Sequence, residues 1–404
     1  MLDEKYIKEQ FPILSRKLYK KDLIYFDNGA TSQTPKVVVD TISDYYYRIN
    51  SNVHRGIHTL SQEATIAMED ARVTIQKHIN AKSKNEIIFT KGTTDGINII
   101  AHAMRFILKE GDEVIISQLE HHSNIVPWQM ACESTGAILK YIPINKKGEL
   151  ILEEYDKLLS AKTKIVSIAH VSNALGTINP VSEIIEKARN VGAFTLIDGA
   201  QSIPHLKVDV QDLDADFYVF SGHKVYGPTG VGILYGKEEI LNSLHPYQGG
   251  GEMIKEVTLD KTTYADAPFR FEAGTPNIEG NIALAKAIDF VNEIGIEKIS
   301  KHENELLNYA TEKLEQLGDV IIYGTSDKKA GVISFNIKGV HSSDVGLILD
   351  KLGIAVRTGK HCAQPIMDYF DISGTVRISF AVYNTKDEVD IFIKSMERVK
   401  MMLL

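Results

Sequence analysis

The sequence predicts an α/β protein: a large domain on a mostly parallel β-sheet, joined to a smaller α+β domain. Three observations carry this. A chain of 404 residues exceeds what one hydrophobic core ordinarily organises. From about residue 86, short apolar runs alternate with helical patterns, as in a sheet covered by helices. After about residue 295 this alternation gives way to a mixture of strands and helices, which indicates a different layer arrangement. The boundaries placed on this basis are 16–295 for the large domain and 296–404, with the N-terminal segment 1–15, for the small one.

In chain order, EIIFT (86–90) reads as a strand, KGTTDG as a tight turn, INIIAHAMRFILKEG as a helix and DEVIIS (112–117) as the next strand. Together they read as a βαβ unit. Strands follow at ILKYIPI (138–144), KIVSIAH (164–170), AFTLID (193–198), FYVFS (217–221) and GVGILYG (230–236), with the helix VSEIIEKARNVG between two of them. In the second part, ISKHENELLNYATEKLEQLG is helical, and VIIYG, GVISFNIKG and TVRISFAVYN read as strands. SDVGLILDKLG and KDEVDIFIKSMERVKMML are further helices. Ligands of open α/β sheets lie beyond the carboxyl ends of the strands, so polar residues just past these runs are the candidates for function.

Composition excludes several classes. Acidic residues outnumber basic ones, 53 to 45, and a net charge of −8 gives nucleic-acid binding no support. MLDEKYIKEQFPIL is charged and helical in pattern, unlike a signal peptide. No apolar run reaches the ~18 residues that span a membrane. The two cysteines, Cys132 and Cys362, cannot build a disulfide framework, and no His/Cys cluster has metal-ligand spacing. A reducing cytoplasm is the expected location, with no metal and no membrane partner.

Lys224, in FYVFSGHKVYGPTGVGILYG, follows a strand end in a loop of small residues, and Asp198, in TLIDGAQS, stands at another. Pyridoxal phosphate chemistry needs such a pair: a lysine to form a Schiff base with the aldehyde, and a carboxylate to keep the pyridine nitrogen protonated. GTTDG (92–96) lies between a strand and a helix, where free backbone N–H groups and the helix dipole favour an anion. Thr93 and Thr94 add hydroxyl donors. Taken singly, each feature also fits a solvated lysine, a helix cap or a turn.

These segments, with EHHSNIVPWQ (120–129), resemble the fold-type I pyridoxal phosphate enzymes of aminotransferase class V. VHRGIHTLS (53–61), RFEAGTPN (270–277) and VRTGKHCAQPIM (356–367) narrow the resemblance to the Suf-type, or class II, cysteine desulfurases, which are similar to selenocysteine lyases. It runs from FPIL near residue 11 to YNTKDEVD near 390. The resemblance implies that Lys224 is the Schiff-base lysine and Asp198 the partner of the pyridine nitrogen. It implies His121 stacked on the ring, Gln201 on the phenolic oxygen, and Asn173 on the same side of the cofactor. Thr93, Thr94, Ser221 and His223 would hold the phosphate. Thr275 would reach the phosphate of a neighbouring subunit, which implies a homodimer.

An amino-acid substrate carries an α-carboxylate, which the N–H fork of arginine matches in bidentate fashion. The resemblance implies Arg377 as the main carboxylate ligand, with Arg357 bordering the pocket. Cys362 determines the reaction. A thiol reacts as its anion, and a free pKa of about 8.5 leaves a few per cent ionised near neutrality. His361 is adjacent in sequence, but neighbours on an extended loop point apart, so it is not assigned as the base. From the residues alone, Cys362 is either a reactive thiol or a small buried hydrophobe, and Cys132 fits the second description better.

The resemblance implies conversion of L-cysteine to L-alanine, a persulfide on Cys362, and transfer of its sulfur to a Suf-system acceptor protein for iron–sulfur cluster assembly. Two positions depart from similar enzymes: Gly29 stands where alanine or serine is common, and Gln364 where methionine is frequent. Neither removes a reacting group. The rival readings are a lyase acting on L-selenocysteine, a class V aminotransferase, which needs no catalytic thiol, and a partner-binding scaffold without chemistry of its own.

Overall fold

The computed structural model describes residues 2–404 and is built around two sheets. The larger has seven strands: β1 (Ile87–Thr90), β2 (Glu113–Ser117), β3 (Ile138–Ile142), β4 (Thr163–Ala169), β5 (Phe194–Asp198), β6 (Phe217–Ser221) and β7 (Gly232–Gly236). Every residue of β1, β2, β6 and β7 is buried. Apolar, β-branched runs form such strands because helices cover both faces of the sheet.

The spatial order is β1-β7-β6-β5-β4-β2-β3, parallel throughout except that β7 runs antiparallel to both of its neighbours. The expected βαβ unit is corrected here: β1 and β2 do not pair, and β7, β6, β5 and β4 lie between them. Local periodicity finds strands but carries no information on which strands become neighbours. The helix after β1 also differs from expectation. It spans Thr93–Met104, so GTT is its first turn rather than a separate loop. Gly92 caps it at φ +146°, a backbone conformation that suits glycine. The chain continues as a turn through Arg105, Phe106 and Ile107.

The smaller sheet contains β8 (Val320–Tyr323), β9 (Val332–Ile337), β10 (Arg357–Gly359) and β11 (Thr375–Ser379), in the order β8-β9-β11-β10 and antiparallel throughout. Arg357–Gly359, which the sequence does not mark as a strand, lies at the sheet edge, where one partner and solvent replace an apolar pattern. Its register sets Arg357 opposite Arg377, so both side chains share one face. The segment Ile24–Tyr25 pairs in parallel with Ile354–Ala355, and Asp27 bridges to Ser379. Phe11 packs at 4.6 Å from Tyr383 and 5.7 Å from Phe290, so the N-terminal segment binds both halves of the chain.

Arg72, wholly buried in the helix Thr59–His78, meets the buried Glu272 through two parallel bonds of 2.7 and 3.0 Å. Glu272 also accepts from the Phe89 N–H at 2.7 Å, which fastens the RFEAGTPN loop to β1. Removing one partner of a buried pair strands the other charge. Glu272→Gln is expected to destabilise the protein by about 3 kcal/mol. A lower denaturation midpoint with an unchanged m-value checks this, and an unmoved midpoint contradicts it.

Candidate active site

Five strands of the large sheet end at one cavity of about 430 Å³, and β10 and β11 close it from the other side. All the side chains expected at the site line it except Thr275, which is exposed on a loop outside the cavity. Asp198, the last residue of β5, is buried, and its Oδ1 accepts from the Ala200 N–H at 2.9 Å. Lys224 ends the short turn Gly222–Lys224 after β6. Enclosure pushes the Lys224 amine down to about 8, although Asp198 opposes the shift. Burial likewise raises Asp198, with Lys224 opposing.

The anion end lies at the N-terminus of the helix Thr93–Met104. Ser221 Oγ accepts from the Thr93 N–H at 2.8 Å and bonds the Thr93 hydroxyl at 2.8 Å. Thr94 is exposed at the mouth. His223 Nδ1 lies 2.6 Å from Thr31 Oγ1, and burial pushes its ring down to about 4, so it offers hydrogen bonding without charge.

His121 caps the turn His122–Asn124. Its Nδ1 accepts the Ser123 N–H at 3.1 Å and lies 2.7 Å from Ser123 Oγ. A backbone donor on Nδ1 places the proton of the neutral ring on Nε2. Burial, helped by Lys224, pushes this ring down to about 3, so it stays neutral and keeps its N–H.

Arg377 is buried on β11 and Arg357 is exposed at the rim. Between them stands Asp27, with Oδ1 3.3 Å from Arg377 Nη2 and Oδ2 3.6 Å from Arg357 Nη1. Two arginines opposite one another would repel, and this carboxylate holds them together. Burial pushes Arg377 down to about 10 and Asp27 up. A side chain at Gly29 would meet the Arg377 guanidinium at 3.3 Å, so glycine leaves that group room. Gln201 donates to the Gly29 carbonyl at 2.6 Å, Arg377 to the Asn173 carbonyl at 2.8 Å, and Asn173 Nδ2 to the His361 carbonyl at 2.7 Å.

Cys362 is exposed and borders the cavity. The extended loop expected around it is not what forms: His361 and Cys362 both have φ +54°, a left-handed conformation costing about 1 kcal/mol each in non-glycine residues. The buried His361 ring bonds Thr375 Oγ1 at 2.8 Å and is pushed down to about 3 by burial. Cys132 is buried in the helix Val126–Thr135, where burial pushes its thiol up to about 11.

Sequence reasoning missed Asp27, Ser123 and Glu120. Glu120 is buried, accepts from Asn124 Nδ2 at 2.6 Å and from the Ala169 N–H at 2.9 Å, and is pushed up to about 8 by burial. It anchors the segment that carries His121. Asp27 follows the short apolar run LIYF, a strand-end signal like that of Asp198.

Whether the cavity suits pyridoxal phosphate can be judged from its donors. Three buried atoms of its lining, Asn173 Oδ1, His361 Nδ1 and Arg377 Nε, have no partner in the protein. Such atoms are rare, and three around one cavity mark it as built for a polar ligand. An amine, a buried carboxylate opposite it and a helix N-terminus with hydroxyl donors match the aldehyde, ring nitrogen and phosphate of that cofactor.

The family profile for "Aminotransferase class-V" matches residues 24–392. The chain belongs to the aminotransferase class-V family. Among its relatives, a protein of Halalkalibacterium halodurans named "Probable cysteine desulfurase" is 51% identical over 98% of this chain and 97% of its own length. The "Cysteine desulfurase" of Wigglesworthia glossinidia brevipalpis is 50% identical over 99% of this chain and 98% of its own. The apo structure of the cysteine desulfurase of Thermococcus onnurineus superposes with a TM-score of 0.95 at 42% identity, covering 100% of this chain and 99% of that one.

Proposed function

We infer that the protein is a cysteine desulfurase that moves the sulfur of L-cysteine onto Cys362 and releases L-alanine. The observation that carries this is a thiol at the rim of the cavity that also holds Lys224, Asp198 and the Arg357–Arg377 pair. The relatives at about half identity over nearly the whole chain support the same reading.

When bound, pyridoxal phosphate supplies an electron sink for the pair left at the substrate Cα. Lys224 is the residue that tethers it, and Asp198 holds the proton on its ring nitrogen. His121 would stack on the ring, Gln201 would bond the phenolic oxygen with Asn173 on the same side, and Thr93, Thr94, Ser221 and His223 would hold the phosphate. Thr275 of a second copy of the chain completes that phosphate site, which makes the working unit a homodimer.

Arg377, with Arg357 at the rim, binds the substrate carboxylate. Lys224 takes the proton from Cα. The thiolate of Cys362 attacks the substrate sulfur, the electron pair of the C–S bond passes to Cβ, and Cβ takes up a proton. Lys224 returns a proton to Cα. L-Cysteine and one thiol thus become L-alanine and one persulfide, with no external oxidant or reductant.

The sulfur then passes to a thiol of a Suf-system acceptor protein for iron–sulfur cluster assembly in the cytoplasm. The division into residues 16–295, and 296–404 with 1–15, belongs to the same reading. No helix among the described residues is long and apolar enough to cross a membrane. L-Cysteine with a reductant is expected to give alanine and sulfide in equal amounts. No alanine from L-cysteine overturns the reading, and activity confined to L-selenocysteine reassigns the protein as a selenocysteine lyase.

The lowered Lys224 amine sets a pH dependence. Its neutral form, the nucleophile, increases with pH until about 8. Capture of pyridoxal phosphate by the cofactor-free protein is expected to quicken about tenfold per pH unit below that point and to level off above it. Stopped-flow absorbance checks this, and a rate that is flat from acid to alkaline pH contradicts it.

A further inference from the structure

Two hydrogen bonds hold the backbone at Cys362 and two residues beyond it, and both end on one residue. The backbone N–H of His122 donates to the Cys362 carbonyl at 2.8 Å. The backbone N–H of Gln364 donates to His122 Nε2 at 3.1 Å. Gln364 opens the helix Gln364–Phe370, and the first N–H groups of a helix have no partner within it. Ala363 has no side-chain acceptor to offer and Pro365 has no N–H, so the cap has to come from elsewhere.

His122 supplies that cap across 242 residues of sequence. As an acceptor at Nε2, its neutral ring carries its proton on Nδ1. It is not among the residues that line the cavity, yet it directly follows His121, which is. The clamp therefore fastens the loop of the thiol to the segment that carries the cavity histidine. It also holds the C-terminal side of the left-handed pair His361 and Cys362, a conformation that persists only where the surroundings impose it.

We propose that His122 is a positioning residue that limits how far the Cys362 thiol travels between the cavity and solvent. The proposal rests on the reading of Cys362 as sulfur acceptor, but its test needs no turnover. In His122→Leu the ring acceptor is lost at similar bulk. In His122→Gln an amide oxygen replaces Nε2 at nearly the same reach.

The test is the rate at which iodoacetamide alkylates Cys362 in the full-length, cofactor-loaded protein, followed by the mass of the peptide that carries it. His122→Leu is expected to react about fivefold faster than wild type, the shift that loss of one ordinary hydrogen bond produces. His122→Gln is expected to react at close to the wild-type rate. Equal rates for wild type and the leucine variant overturn the proposal, as does a glutamine variant as fast as leucine. Should His122→Leu fail to fold, His122→Asn replaces it: its shorter amide cannot reach Gln364, and equal rates for Asn and Gln overturn the proposal. A change in alkylation without alanine release from L-cysteine in wild type keeps the clamp and removes only the desulfurase reading.

Discussion

Cys362→Ser is expected to release alanine from L-cysteine about a thousandfold more slowly than wild type, because no other thiol can reach the substrate sulfur. Cys132 is buried on the helix Val126–Thr135 and pushed up to about 11, so it cannot substitute. Serine keeps the size of the side chain and the left-handed turn at 361–362, so the loss reports chemistry rather than folding. Coupled assay of alanine and sulfide measures it. A serine variant within about twofold of wild type would remove Cys362 from the reaction.

Lys224→Ala is expected to lose about four orders of magnitude in rate together with the visible absorbance of the amine-linked cofactor. In the proposed reading one side chain serves two purposes: it tethers the cofactor, and it moves the proton at the substrate Cα. Both depend on an amine that enclosure has pushed down to about 8, since a fully protonated lysine could neither condense with an aldehyde nor accept a proton. The variant should still bind pyridoxal phosphate non-covalently through the Thr93–Ser221 end and Asp198, which equilibrium dialysis reads. An alanine variant with the wild-type absorbance band would place the tether elsewhere.

How far the fold was legible in the sequence follows from where each strand lies. The buried strands β1, β2 and β4–β7 announce themselves because a strand covered on both faces must be apolar throughout. Their order does not, since neighbours are chosen by crossovers and packing; the separation of β1 from β2 and the reversed β7 therefore had no local signature. The edge strand Arg357–Gly359 was invisible for the opposite reason: with solvent on one side it needs no apolar pattern.

The site was more legible than the sheet order, because its residues sit just past strand ends and carry unusual chemistry for such places. Lys224, Asp198 and the Thr93 turn could be named from position. Asp27 shares the strand-end position, but its role could not be read there, because it comes from two arginines brought opposite each other by the β10–β11 register, 330 residues or more away in the chain. The left-handed turn at His361 and Cys362 was missed because two such residues in succession have no local signal and cysteine does not favour the conformation; the hydrogen bonds to Asn173 and His122 impose it from outside.

The most direct test of sulfur transfer to Cys362 is the mass of the peptide that carries it after brief reaction with L-cysteine and no reductant. The expected result is a gain of one sulfur atom on that peptide, reversed by a thiol and matched by one alanine per chain. Release of a full equivalent of alanine with the Cys362 peptide unchanged in mass would contradict the account.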